Sequence, residues 1–217
     1  MSMSQISDLG AITPHAREIS SKSRSIAREI VGDTEYGDRI RQRCVIATGD
    51  PNFADLIRFK NDPIRAGIAA INGNSSVYTD ITMVLAGITK RGHNCPVTCV
   101  LDLAAGAEII ERYGVTRTSA GFMALGRDLN HTILVIGNAP SAALTVCEMI
   151  EEGASPALVV GTPVGFVNAS ESKELLRSLD VPSITCVGTR GGTPVAVACM
   201  NELIAMAAEG SGEGATD

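Results

Sequence analysis

The residues best suited to chemistry lie where short apolar runs give way to turns. Ala157-Leu-Val-Val160 leads into Gly161-Thr-Pro-Val-Gly-Phe-Val-Asn-Ala-Ser-Glu-Ser-Lys-Glu174, a loop with two glycines and a proline that opens a polar helix. Val77-Tyr-Thr-Asp80 ends in hydroxyl and carboxylate groups, and Val135-Ile-Gly-Asn-Ala-Pro140 turns through Gly137 and Asn138. Val187-Gly-Thr-Arg-Gly-Gly-Thr-Pro194 carries a glycine pair before Thr193, a fitting N-cap, and Pro194. A strand followed by such a turn presents unsatisfied helix N–H groups beyond the carboxyl edge of a sheet, where open α/β sheets bind ligands. Turns of this type use Gly, Asn and Pro for structural reasons alone, but four of them in one chain point to a shared crevice for an anion. None reads GxGxxG or GxxxxGK[ST], which speaks against a dinucleotide or a P-loop nucleotide.

The elements that must hold these turns follow an alternating rhythm. Five short runs rich in β-branched residues, Ser76–Thr79, Val97–Leu101, Thr132–Ile136, Ala157–Val160 and Ser183–Val187, are predicted strands. Helical stretches near 81–90, 104–113, 118–130, 140–152, 170–179 and 194–208 lie between and after them. Strand, loop and helix in repetition give βαβ units and a parallel sheet covered on both faces. Upstream, Thr13-Pro14 opens a helix to about Val31 with Ile19, Ile26 and Ile30 close to one face. A second helix covers Glu35 to Val45, a short one follows Asp50-Pro51, and Asp62-Pro63 opens another to Ile71. Residues 1–12 and 209–217 are small and polar and are expected to be loose, leaving one domain over 13–208.

Composition narrows the function. Hydrophobic residues make up 45% and aromatics 3% of 217 residues, with no Trp, so any cavity for a flat ligand is walled by aliphatic groups and backbone. A net charge of −6 argues against a nucleic-acid partner, whose binding needs basic patches, yet leaves room for an anionic small molecule held by a few arginines. The cysteines Cys44, Cys95, Cys99, Cys147, Cys186 and Cys199 form no CxxC pair, no signal-peptide pattern opens the chain and no apolar run is long enough for a membrane. A cytoplasmic protein with reduced, packed thiols is expected, and His93-Asn-Cys95 with Cys99 reads as strand and loop rather than as a metal site.

These turns and their neighbours resemble the precorrin-8X methylmutase family of corrin-ring biosynthesis. The resemblance is carried by Arg24-Ser-Ile26, Val77-Tyr-Thr-Asp-Ile-Thr-Met83, Gly87-Ile-Thr-Lys-Arg91, Gly114-Val-Thr-Arg-Thr-Ser-Ala120, Ile136-Gly-Asn-Ala-Pro140, Gly161 to Glu174 and Arg190-Gly-Gly192, in the family's order across about residues 14–208. It implies an α/β fold of three layers, α/β/α, with a flavodoxin-like five-stranded parallel sheet and extra N-terminal helices. It further implies a homodimer with its site near the subunit interface, and an isomerase that shifts a methyl group between adjacent carbons of a contracted tetrapyrrole. The product is cobyrinate or, without metal, hydrogenobyrinate. No cofactor is implied, since cobalt, where present, is part of the substrate. The partner would be an anionic corrinoid.

Carried over residue by residue, the resemblance makes Arg117 a substrate-contacting arginine, with Ser119 in the same motif. It places Ser25, Thr48, Tyr78, Thr79, Asp80, Thr82, Gly137, Asn138, Gly165, Lys173, Gly191 and Gly192 around the substrate. Plainer readings stand beside these. Asp80 makes a good N-cap for the helix after it, Lys173 and Glu171 make a solvated pair on an exposed helix face, and Ser25 is an ordinary surface serine. Gly191 and Gly192 permit close backbone approach to a carboxylate or to a partner subunit. The segment Arg43-Cys-Val-Ile-Ala-Thr-Gly-Asp50 departs from the family, in which a histidine regarded as the proton donor falls where this chain has Ile46. Isoleucine donates nothing. The chemistry then runs by positioning, aided by cobalt in the substrate, or another acid acts, from His15, His93, His131 or Cys44. Two other readings are a corrinoid carrier without catalysis and an unrelated small-molecule enzyme on a flavodoxin-like scaffold.

Overall fold

All five apolar runs are strands, and the sheet has a sixth that the sequence pattern did not announce. The computed structural model describes residues 11–103 and 106–210. Of the ends expected to be loose, residues 1–10 and 211–217 lie outside the described residues, whereas Glu209 and Gly210 complete the last helix. In chain order the strands are β1 (Ile57–Lys60), β2 (Val77–Thr79), β3 (Val97–Cys99), β4 (Ile133–Ile136), β5 (Leu158–Gly161) and β6 (Ser183–Cys186). They lie in the order β1-β6-β5-β4-β2-β3. From β3 to β6 every pairing is parallel, and the order is that of a flavodoxin-like sheet with its switch point between β2 and β4. The extra strand β1 pairs antiparallel with β6, Ile57 opposite Cys186 and Lys60 opposite Ser183. The expected five-stranded parallel sheet is thus a six-stranded mixed one. A short alternating segment, Ile57-Arg-Phe-Lys60, becomes a strand because it covers the edge of β6.

Side-chain alternation divides the core. Ile133 and Val135 of β4 face one way, with Leu158 and Val160 of β5, and Leu134, Ile136 and Val159 face the other. The first face is covered by α2 (Asp38–Thr48), α4 (Pro63–Asn72), α5 (Thr82–Gly87) and α10 (Thr193–Gly210), and α1 (Pro14–Val31) packs outside on α2. The second is covered by α7 (Arg117–Leu125), α8 (Pro140–Glu151) and α9 (Ala169–Ser178), through Phe122, Leu125, Val146 and Leu176. The helices α3 (Phe53–Leu56) and α6 (Gly106–Tyr113) complete the set. All six cysteines are buried free thiols, filling space among aliphatic side chains.

Helix ends follow local chemistry. The Thr13 hydroxyl accepts a bond from the Ala16 N–H at 3.2 Å, with Pro14 in the first turn of α1. The Thr116 hydroxyl does the same for Ser119 at the start of α7. The helix α2 stops at Gly49, whose φ of 65° is left-handed, and this turns Asp50 toward the carboxyl edge of the sheet.

Candidate active site

The switch point between β2 and β4, the expected ligand crevice of such a sheet, is filled by the chain itself. The side chain of Asp80 is fully buried, and its carboxylate accepts N–H bonds from Gly137 (3.2 Å), Asn138 (2.7 Å) and Ala139 (2.9 Å). Burial pushes the Asp80 carboxyl up, while the N–H donors pull it down. Asp80 therefore does not cap the helix that follows it, as the sequence suggested. Ile81 holds that position, and Asp80 closes the N-terminal turn of α8 instead. The N–H groups of Gly137 and Asn138 are taken by this carboxylate and are not an open anion cradle. Gly137 is small because Val84, Ala196 and Thr193 crowd it: a Cβ there would lie 2.9–3.0 Å from their atoms. Tyr78 is half-buried and Thr79 buried, and Thr82 is exposed at the first turn of α5.

The open side of the carboxyl edge lies over β5 and β6. The loop from Thr162 to Asn168 is joined to that from Val187 to Gly192 by backbone bonds, Gly165 N–H to Thr189 C=O at 3.1 Å and Gly192 N–H to Thr162 C=O at 2.7 Å. Gly191, at φ 152°, passes so close that a Cβ would lie 2.4 Å from the Thr162 carbonyl oxygen. The close approach expected at the glycine pair is thus made to the chain's own loop. Together the two loops hold Val164, Phe166 and Val167 in solvent, Phe166 at 94% exposure.

Arg190, in the second loop, reaches across to the N-terminal half of the chain. Its Nη1 lies 2.5 Å from Asp50 Oδ2, and its guanidinium stands over the Phe53 ring at 5.6 Å. The amide and backbone donors of Asn52, and then Arg190, hold Asp50 below the usual carboxylate range. The Thr48 hydroxyl donates to the Cys44 carbonyl at 2.8 Å and closes the end of α2.

Lys173 is not on a solvated face. It is fully buried in α9, and its Nζ donates to the Arg190 carbonyl at 2.7 Å and lies 3.6 Å from Cys186 Sγ. Glu171, its supposed surface partner, is exposed on the other side of the helix. Ammonium and thiol share the Arg190 carbonyl, since Cys186 Sγ lies 3.1 Å from the same oxygen. Burial pushes the Lys173 amine down and the Cys186 thiol up.

Arg117 is exposed at the first turn of α7, and Ser119 is buried beside it. The Thr116 hydroxyl joins Ser119 and Ser141, each at 2.9 Å, and so ties the start of α7 to the start of α8, next to the Gly165 loop. Ile46 lines an apolar groove of about 240 Å³ with Ser23, Ile26, Ala27, Ile30, Val45, Gly49 and Pro51. Ser25 falls on the opposite face of α1 from those groove residues, so a single chain does not bring it to Ile46. None of His15, His93, His131 and Cys44 lines the groove. His93 braces its own loop, with Nε2 at 2.7 Å from the Thr89 carbonyl, and Cys44 packs against Cys199 with the sulfurs 3.6 Å apart. The Asp50–Arg190 bridge was not anticipated as a unit. Arg190 lay within a matched segment and Asp50 at the end of the departing segment Arg43–Asp50, and their pairing across 140 residues leaves no local signal.

Comparison with known proteins agrees with this architecture. The family model described as CbiC, precorrin-8X methylmutase, matches residues 18–206. The cobalt-precorrin-8 methylmutase of Methanocaldococcus jannaschii is 43% identical over 210 residues, covering 92% of this chain and 98% of the relative. That of Methanothermobacter thermautotrophicus is 38% identical over 204 residues, covering 91% and 97%. A crystal structure of precorrin-8X methyl mutase from Thermus thermophilus superposes with a TM-score of 0.81 at 30% identity, covering 88% of this chain and 98% of the other.

Proposed function

The chain belongs to the precorrin-8X methylmutase family, and on that premise we propose that it is an isomerase of cobalamin biosynthesis that shifts a methyl group between adjacent carbons of a contracted tetrapyrrole. Its relatives in the two methanogens are named for the cobalt form, which favours a substrate already holding cobalt. The reading rests on one juxtaposition. Val164, Phe166 and Val167 stand exposed on a loop hydrogen-bonded to the Arg190 loop, beside the α8 start that Thr116 ties to Arg117. A flat macrocycle edged with acetates and propionates needs that combination, aliphatic and aromatic surface for the ring and guanidinium for the rim.

The rearrangement is internal to the substrate, so the protein's task is to hold one geometry and stabilise charge as it moves through the conjugated ring. Arg117 and Arg190 fix the carboxylate rim, and the two joined loops fix the ring plane. At Ile46 the wall is apolar and supplies no proton. A second copy of the chain completes the site: Ile12, just before α1, and Ile19, Ile26 and Ile30 on it leave an exposed apolar stripe beside the Ile46 groove, and a homodimer would cover it. Among the described residues no helix is long and apolar enough to cross a membrane, and the protein is proposed to work in the cytoplasm on this small anionic partner, without nucleic acid.

A single-turnover assay beside Ile46→His tests the reading. The unaltered protein should convert the substrate, seen as the corrin chromophore appearing in the absorbance spectrum. The histidine variant should be faster, by up to the ~100–10,000-fold that a placed acid contributes. Tight pigment binding with no spectral change in either protein would instead mean carriage of the corrinoid.

A further inference from the structure

Lys173 sits in an unusual position for a lysine in a soluble domain. Its side chain is fully enclosed, and the groups that face it are a carbonyl and a thiol, that is, dipoles rather than a carboxylate. The charged and titratable groups around it are few. Glu174 and Arg177 lie on α9 itself and pair with each other, Cys186 is on β6, and Arg190 is on the loop above. Behind Cys186 stands Cys199 of α10, next to Cys44 of α2. Among the described residues no ion pair neutralises the Lys173 ammonium. A buried charge costs free energy unless it is paired, and that cost pushes the Lys173 amine down; an anion bound nearby from outside the chain would offset it.

The carbonyl that holds Lys173 belongs to Arg190, whose side chain bridges to Asp50 and whose next two residues are locked against Thr162. We infer that Lys173 is a positioning residue of the proposed site: it fixes the Arg190 loop from below, and its charge is balanced only when a carboxylate of the substrate binds above that loop. This rests on the reading of the site as one for an anionic corrinoid. The lysine touches no ligand. It acts through the Arg190 backbone and through a field that is strong because the ammonium is shielded from water. The lowered amine pKa fits the same arrangement, since a bound anion would raise it again.

The inference separates stability from binding. Lys173→Met removes the buried charge and keeps the length of the side chain, while the Cys186 thiol still reaches the Arg190 carbonyl. The variant should unfold at the same temperature as the parent or higher. It should bind cobyrinate about tenfold more weakly, as lost charge attraction of this kind implies. Fully esterified cobyrinate, which has no carboxylates, should be bound by the two proteins within about twofold of each other. In the unaltered protein the affinity for cobyrinate should fall as pH is raised from 5.5 toward 10.5, with a midpoint below the ordinary lysine value of 10.5, and the ester should show no such fall. This second measurement needs no variant. If the variant loses stability and binds both ligands equally less well, Lys173 is structural only and the inference is wrong. A flat pH profile for cobyrinate from the unaltered protein overturns it as well. Failure of the unaltered protein to bind either corrinoid overturns the proposed function together with the inference.

Discussion

Two of the molecule's buried charges, on helices that cover opposite faces of the sheet, are handled in opposite ways. Beneath the N-terminal helices, Glu202 of α10 is almost wholly enclosed and surrounded by cations. Arg39 grips it at 2.8 Å, and Arg24 and Arg43 stand at 3.6 and 4.0 Å. Arg39 also holds Glu209 about two turns further along α10, which raises its already high pKa further. At the carboxyl edge, Lys173 is equally enclosed with no carboxylate on it. The first centre has its counter-charges within the chain, although Glu202 Oε2, Arg24 Nε and Nη2 and Arg43 Nη1 have no hydrogen-bond partner, and it holds α1 and α2, which carry Ser25, Ile46 and Thr48, onto the core. The second is incomplete within the chain and lies under the loops that face solvent. A buried charge with its counter-charges is a structural fastening, whereas the one without them is the group inferred above to act on a bound anion.

Removing the clamp should give the largest effect. Glu202→Ala leaves three guanidiniums facing one another, with Arg43 already pushed down by burial and by Arg24. Loss of one partner from a buried ion cluster costs about 3–5 kcal/mol. At 217 residues this is roughly 6–20 °C in melting temperature. The contrast with Lys173→Met is the point of the measurement. Should both variants melt at the same temperature as the parent, the distinction between a completed and an uncompleted charge is lost.

Asp80 stands between the two extremes, a buried carboxylate completed by backbone dipoles instead of cations. Asp80→Ala strips the turn before α8 of its acceptor and leaves the N–H groups of Gly137 and Ala139 buried and unpaired. The expected cost is about 2 kcal/mol, in the range of a lost N-cap and a lost bond to a charged group. Urea unfolding would check it. A change below about 0.5 kcal/mol would mean that water replaces the carboxylate, and the turn would then be an open anion site after all.

How far these centres could be read from the sequence follows from the range of the forces involved. The five parallel strands were legible because a strand buried on both faces is a continuous apolar run, as Ile133-Leu-Val-Ile136 is. The strand β1 was not, because Ile57-Arg-Phe-Lys60 owes its form to the exposed edge of β6, more than 120 residues away. Lysine is so rarely buried that the type alone pointed Lys173 outward. Its spacing pointed the other way: Ala169, Ser172 and Leu176, at i−4, i−1 and i+3, form the buried face of α9. Asp80 had the right chemistry at the wrong helix, since a cap is read locally and its partners lie 57–59 residues on.

The smallest effect belongs to the bridge that joins the two regions. Asp50 and Arg190 are both partly exposed, so their pairing contributes little to folding despite its short distance. A double-mutant cycle of Asp50→Asn and Arg190→Gln should return only a small coupling, as exposed pairs do, and a smaller one at high salt. For ligand the two single variants should differ in sign. Arg190→Gln removes a cation from the carboxylate rim and should weaken cobyrinate binding. Asp50→Asn releases the guanidinium from its internal partner and should leave binding unchanged or tighter. If both variants weaken binding alike, the bridge itself, rather than the freed cation, shapes the site. The charge above Lys173 would then have to come from the loop backbone alone.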